Sequence, residues 1–148
     1  MKSEYKSWFL NNILDKEFTQ VYIPSKNYGR KYKFYNFSRK EVPFDNKFFM
    51  YLSEFVGMTN FDYDCYHIHK WDKGDYFDEH IDDRANRIFS YVCELKESEC
   101  KTKLIVENTL TEENWFDIYT KHYVPKIQQG QRISLTVFGR KKKQKPLL

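Results

Sequence analysis

From residue 63 onward the chain is a succession of short segments rich in β-branched and aromatic residues, at 63–71, 87–95, 103–107, 119–125 and 132–138. Segments of that length and composition, parted by polar turn-forming residues, read as strands. They leave little choice beyond a small β structure. The first sixty residues carry a different period. Trp8, Phe9, Ile13 and Leu14 recur at helical spacing within 5–14, and Phe48, Phe49, Leu52 and Phe55 do so within 45–56, where Asp45 is a candidate N-cap. Residues 18–23 (Phe-Thr-Gln-Val-Tyr-Ile) read as an early strand stopped by Pro24, and 111–116 as one helical turn. Helices first and strands afterwards predict an α+β domain.

A chain of 148 residues suits one domain, with no repeat or low-complexity linker to divide it. The expected organisation is a helical support over 1–60, a β core over 61–140 and a basic flexible tail over 141–148. Charge supports that last boundary. Five of the 25 basic residues (Arg140, Lys141, Lys142, Lys143 and Lys145) sit at or just beyond that boundary, leaving 20 before it against 21 acidic ones. A tail of this kind is a solvated end or, ranked below that, a nuclear-import or nucleic-acid contact. Residues 72–83 carry six acids against one lysine, which predicts an acidic mouth favouring a cationic or neutral substrate. Cys65, Cys93 and Cys100 are odd in number and lack CxxC spacing, so they read as thiols in a reducing compartment. No apolar run is long enough to cross a bilayer or lead a secretory signal. The expectation is a cytoplasmic or nuclear protein without membrane contact.

Within the strand region, His80-Ile81-Asp82 places a histidine and a carboxylate two residues apart, which on a strand puts both on one face. Adding His122 completes two imidazoles and one carboxylate, the set that caps one face of non-haem iron and leaves the opposite positions open. Ten residues later comes Arg132, whose planar fork suits a carboxylate. The bland alternative is a surface His–Asp pair with His122 ending a strand. Taken without the residues around it, the triad reads as that alternative first; Gly74, Phe77, Gly130, Arg132 and Ser134 weigh toward the metal through the resemblance they carry.

These two blocks, Trp71-Asp-Lys-Gly74-Asp-Tyr-Phe77-Asp-Glu-His80-Ile-Asp82 and His122-Tyr-Val-Pro-Lys-Ile-Gln-Gln-Gly130-Gln-Arg132-Ile-Ser134, resemble the Fe(II)/2-oxoglutarate-dependent dioxygenases, in particular the prolyl 4-hydroxylase-like branch. The likeness covers roughly residues 61 to 140. It implies a double-stranded β-helix (jelly-roll) core with the N-terminal helices packed on one side. It implies Fe(II) held by His80, Asp82 and His122, with 2-oxoglutarate and O₂ as cosubstrates. Arg132 would take the C5 carboxylate of 2-oxoglutarate, and Ser134, facing the same way, would add a hydroxyl. Trp71 stands where relatives carry a cosubstrate-binding tyrosine, and core packing is its other reading. His67 and His69 share a face with Trp71, either as substrate or supporting residues or as hydrogen-bonded members of a strand layer. Ile133, Leu135 and Val137 should face the opposite way.

The resemblance implies an enzyme that hydroxylates a side chain of a protein or peptide, prolyl or other, while 2-oxoglutarate becomes succinate. Loops at 28–37 and 83–86 are expected to shape its mouth. Two alternatives remain: a nucleic-acid demethylase of the AlkB type, for which Phe138 stands where a second arginine is usual, and a jelly-roll binding module without catalysis. The module is disfavoured by the presence of all four of His80, Asp82, His122 and Arg132.

Overall fold

The computed structural model describes residues 1–25, 28–96 and 102–143. Helix α1 (Ser3–Asn12) is followed by β1 (Thr19–Ile23), β2 (Arg30–Ser38), a 3-10 turn at Arg39–Glu41 and helix α2 (Asp45–Val56). The strands β3 (Cys65–Trp71), β4 (Tyr76–His80), β5 (Arg87–Glu94), β6 (Leu104–Val106), β7 (Thr109–Thr111), β8 (Glu113–Asp117), β9 (His122–Val124) and β10 (Arg132–Arg140) complete it. Every pairing is antiparallel, in the order β7-β6-β9-β4-β2-β3-β10-β5-β8, with β1 on β2. The sheet curls until Phe116 of β8, at one end of that order, meets His122 of β9, with ring centroids 4.5 Å apart. The result is a nearly closed jelly roll with both helices on its outer face.

The long strand β10 divides the molecule. Ile133, Leu135 and Val137 point to the helical side, where they join Phe9, Phe48, Leu52, Tyr66 and Tyr91 in one aromatic core. Arg132, Ser134, Thr136 and Phe138 point the other way, into a cavity. Period-2 alternation thus assigns one face of the strand to packing and the other to chemistry.

Helix α2 spans the predicted residues, and its buried stripe is Phe48, Leu52 and Val56, with Phe55 at the rim. Asp45 is not its N-cap. It lies in the first turn and accepts hydrogen bonds from Tyr63 (2.9 Å) and Tyr66 (2.6 Å) while pairing with Arg39. Helix α1 ends at Asn12, leaving Leu14 exposed.

Two expectations about local structure fail. Residues 111–116 form no helical turn: Thr111 ends β7, and Glu113–Asp117 is strand β8 laid along β5. Residues 28–37 are not a loop, because Arg30–Ser38 is a strand that pairs with β1, β3 and β4. Its side chains therefore form a wall of the cavity and not a mobile lip. Residues 83–86 do form a turn, with Asn86 left-handed at φ 67°. Gly74 (φ 90°) and Gly130 (φ 73°), singled out in the two blocks, sit in turns that side-chain-bearing residues rarely adopt.

Strand β10 ends at Arg140, and residues 144–148 of the tail lie outside the described residues, as do Lys101 and Cys100. Cys65 and Cys93 are free thiols. Among the described residues, no helix is long and apolar enough to cross a membrane.

Candidate metal centre and its cavity

His80 closes strand β4, His122 opens β9, and the two residues are directly opposite in the ladder. Asp82 is on no strand. It follows β4 by two residues, so side-chain alternation alone does not bring it to the histidines. It is held there by strand β5, where Ser90 donates a 2.6 Å hydrogen bond to Asp82 Oδ2. His80 Nε2 stands 3.5 Å from Asp82 Oδ1 and His122 Nε2 stands 3.3 Å from Asp82 Oδ2. One ligand atom from each of the three falls within 4.8 Å of the other two, the one such metal-sized group among the described residues.

Both imidazoles are fixed in the tautomer a metal requires. His80 Nδ1 lies 2.7 Å from the Asp78 carbonyl and His122 Nδ1 lies 2.9 Å from the Thr120 carbonyl. A carbonyl can only accept, so each Nδ1 carries a proton and each Nε2 is the ring nitrogen left facing Asp82. Packing holds the rings as well, with Phe77 stacked on His80 at 3.7 Å between centroids. Burial, aided by the neighbouring His122, lowers His80 to about 4. Burial would raise Asp82, but His122, Ser90 and His80 outweigh it and hold the carboxyl at about 2. The centre at neutral pH is thus a carboxylate beside a neutral His80. That donor chemistry fits a divalent first-row metal, with the second shell already in place.

The triad opens into a cavity of about 740 Å³ whose far wall is β10 and β3. Arg132 is 3% exposed there, its guanidinium 5.8 Å from the Trp71 ring. Trp71 Nε1 donates to Ser134 Oγ at 3.2 Å. The indole therefore occupies a lone pair of the serine and leaves the hydroxyl proton to serve a ligand. The structure thus gives Trp71 an indirect place: it orients Ser134.

His67 and His69 line the same wall. Cys65 Sγ lies 3.4 Å from His67 Nε2, and Thr136 Oγ1 lies 3.5 Å from His69 Nδ1. Burial above all lowers His67 to about 4 and His69 to about 3, so both are neutral and belong to no metal group among the described residues.

Three further features bear on the site. Ser90 anchors the Asp82 carboxylate, and period-2 alternation along 87–94, which puts Ser90, Val92 and Glu94 on one face, is the sequence signal for it. Glu94 is directly opposite Ser134 in the ladder and 7% exposed, with Lys103 Nζ 3.8 Å away. Burial raises Glu94 above the usual carboxylate range despite Arg132 and Lys103. The third is the charge of the mouth. Of the acids in 72–83, only Asp82 and Asp83 line the cavity, while Arg30, Arg84, Arg87 and Arg132 do so. The acidic mouth is therefore a wrong expectation. The fold turns Asp78 and Glu79 outward into solvent, pairs Asp72 with Lys33, and sets Asp75 to accept the Asp72 backbone N–H.

No family model matches the sequence, and no curated protein is detectably similar to it. In three dimensions the chain is similar to solved structures. The viral collagen prolyl hydroxylase of Paramecium Bursaria Chlorella virus-1, solved with 2-oxoglutarate, superposes with a TM-score of 0.73 at 15% identity, over 96% of this chain and 92% of that one. A Pseudomonas putida prolyl-4-hydroxylase gives 0.69 at 12%, over 97% and 89%. A Trichoplax adhaerens prolyl hydroxylase, solved with a peptide fragment of the hypoxia inducible factor oxygen degradation domain, gives 0.66 at 18%, over 94% and 77%. These likenesses establish the fold: the double-stranded β-helix of 2-oxoglutarate–Fe(II) oxygenases.

Proposed function

We propose that this protein is an Fe(II)- and 2-oxoglutarate-dependent dioxygenase that hydroxylates a side chain of a peptide or protein. The observation that carries the reading is the triad itself: two Nε2 atoms and one carboxylate converge with both Nδ1 protons tied to backbone carbonyls. A structural or surface His–Asp pair has no need of that anchoring. When bound, Fe(II) with 2-oxoglutarate and O₂ supplies the oxidant that hydroxylates a C–H bond, with 2-oxoglutarate decarboxylated to succinate.

The chain's own residues do the rest. His80, Asp82 and His122 would hold the metal on one face, leaving the cavity side open. Arg132 would take the distal carboxylate of the cosubstrate through a two-pronged pair, and Ser134, aimed by Trp71, would donate to the same group. Phe77 and Phe116, packed on the two histidine rings, limit water at the ligands. A peptide substrate is supported by the fold neighbour solved with a peptide fragment.

The test is turnover. The full chain with Fe(II), O₂ and 2-oxoglutarate, given a panel of peptides, should release succinate and add one oxygen atom to a peptide. Both should disappear in His122→Ala. A protein that binds metal and cosubstrate yet releases no succinate under any condition would contradict the enzyme reading.

A further inference from the structure

The chain has 19 lysines and six arginines, yet four of the arginines and none of the lysines line the cavity. The two cations are not equivalent: an ammonium is a strongly hydrated point charge, whereas a guanidinium offers a planar fork matched to a carboxylate. Arg132 has its place in the reading above, so Arg30, Arg84 and Arg87 remain. Elsewhere the chain pairs its arginines with acids, Arg39 with Asp45 and Asp62, and Arg140 with Asp64. Among the described residues no such pair engages Arg30, Arg84 or Arg87. The contacts of Arg87 and Arg30 position them without cancelling charge. The Arg87 guanidinium lies 3.6 Å from the Phe138 ring, and its buried Nε has no hydrogen-bond partner. Arg30 sits 5.4 Å from the Phe77 ring and donates to the Tyr28 carbonyl at 3.2 Å.

Charge accounting sharpens the point and rests on the dioxygenase reading. A divalent metal set against Asp82 and a dianionic cosubstrate leaves one negative charge, which Arg132 cancels. What remains lining the cavity is three arginines against Asp83, since Glu94, beside Arg132, has Lys103 as its own counter-charge 3.8 Å away. A loaded centre would therefore still be electropositive beside the open face of the metal, where a substrate must enter. Such an excess attracts an anion.

We propose that the substrate presents a carboxylate to Arg84 and Arg87 beside the metal centre, making this an oxygenase of acidic substrates. The carboxylate belongs to a Glu or Asp in a peptide or to a free carboxylic acid. A nucleic-acid strand suits the surface less well. The guanidiniums gathered around one cavity suit one discrete anion, while exposed Asp78 and Glu79 would repel a run of phosphates.

The experiment uses the full chain with Fe(II) and 2-oxoglutarate under anaerobic conditions. Fluorescence anisotropy would follow a labelled heptapeptide with proline at its centre and glutamate on both sides, against the same peptide with glutamine or with lysine. The glutamate peptide should bind at least ten-fold more tightly than the glutamine one. That gap should shrink in Arg84→Gln and shift toward the lysine peptide in Arg84→Glu. Arg84 is exposed, so neither change threatens folding, and Arg87→Lys, which keeps charge but loses the fork, should narrow the gap as well.

Displacement by N-acetylglutamate at comparable concentration would assign the carboxylate to a small molecule, and resistance to it would assign it to a peptide. Equal binding of the three peptides, preference for lysine, or tighter binding of an eight-nucleotide oligothymidine would overturn the proposal. The visible absorption of the Fe(II)–2-oxoglutarate chelate, read in the same samples, separates the two readings. A chelate with no charge preference sinks this inference alone, whereas no chelate sinks the dioxygenase reading.

Discussion

Ser90 donates a 2.6 Å hydrogen bond to Asp82 Oδ2, the same oxygen that lies 3.3 Å from His122 Nε2. Strand β5 thereby positions a carboxylate that belongs to no strand. Ser90→Ala removes that anchor with almost no change in volume. Metal affinity should fall by about ten-fold or more, the usual cost of losing such a partner. Competition with a fluorescent chelator measures it, and His80→Ala or His122→Ala should abolish binding in the same assay. Unchanged affinity in Ser90→Ala would show that Asp82 needs no support from β5.

Glu94 stands opposite Ser134 on the cavity side, close enough to feel the Arg132 charge. Burial raises its carboxyl above the ordinary 4.5, and its ionised form would compete with a cosubstrate carboxylate bound at that arginine. Protonation removes the competitor. The dissociation constant for 2-oxoglutarate should therefore rise as pH climbs through the Glu94 titration. Glu94→Gln should bind several-fold more tightly than the parent at neutral pH, with that rise gone. Isothermal titration across pH would show it.

The metal-free protein should lose stability on mild acidification. His67, His69 and His80 titrate at about 4, 3 and 4 when folded, against 6.5 when unfolded. Between pH 6.5 and about 4 the unfolded chain binds protons that the folded chain refuses, so stability falls as pH falls. Each histidine contributes up to about 1.4 kcal/mol per pH unit. Urea denaturation from pH 7 to 5 should show a slope that His67→Asn reduces. Well above pH 6.5 all three are neutral in both states and the slope from them vanishes.

Phe48 is fully buried between α2 and the sheet, against Tyr66 and Tyr91. Phe48→Ala should cost about 3–5 kcal/mol of stability. Its packing lies on the outer face of the sheet, away from the cavity, so metal affinity of the folded fraction should be unchanged. Denaturation combined with the chelator assay would separate the two effects.

Where the chain obeys one rule at a time, its sequence was easily read. β3, β5 and β10 show the β-branched and aromatic pattern, and α2 shows its stripe, because each has one face in the core. β2 escaped because Arg30-Lys-Tyr-Lys-Phe-Tyr-Asn-Phe-Ser38 buries only Phe37 fully and carries lysines along its length, one of them held by Asp72. β8 escaped because it pairs only with β5 and exposes Asn114 and Asp117, which in one dimension look like a turn. The triad residues were legible by type and spacing, but the route by which Asp82 reaches the histidines was not. It depends on Ser90, from a strand whose register the sequence does not display. The charge of the mouth was misread for a related reason. A run of acids along the chain says nothing of which side each faces, and the turn at 83–86 brings Arg84 and Arg87 to the cavity while Asp78 and Glu79 face solvent.

The central claim is that His80, Asp82 and His122 hold Fe(II) with an open face on which Arg132 orients 2-oxoglutarate. The most direct test is an anaerobic titration of the Fe(II)-loaded chain with 2-oxoglutarate, watching the weak visible charge-transfer band of the chelate. The account predicts a saturable band that is absent in Asp82→Ala and needs far more 2-oxoglutarate in Arg132→Ala. A chain that retains no Fe(II) and forms no band would contradict it, and would leave a jelly-roll binding module in its place.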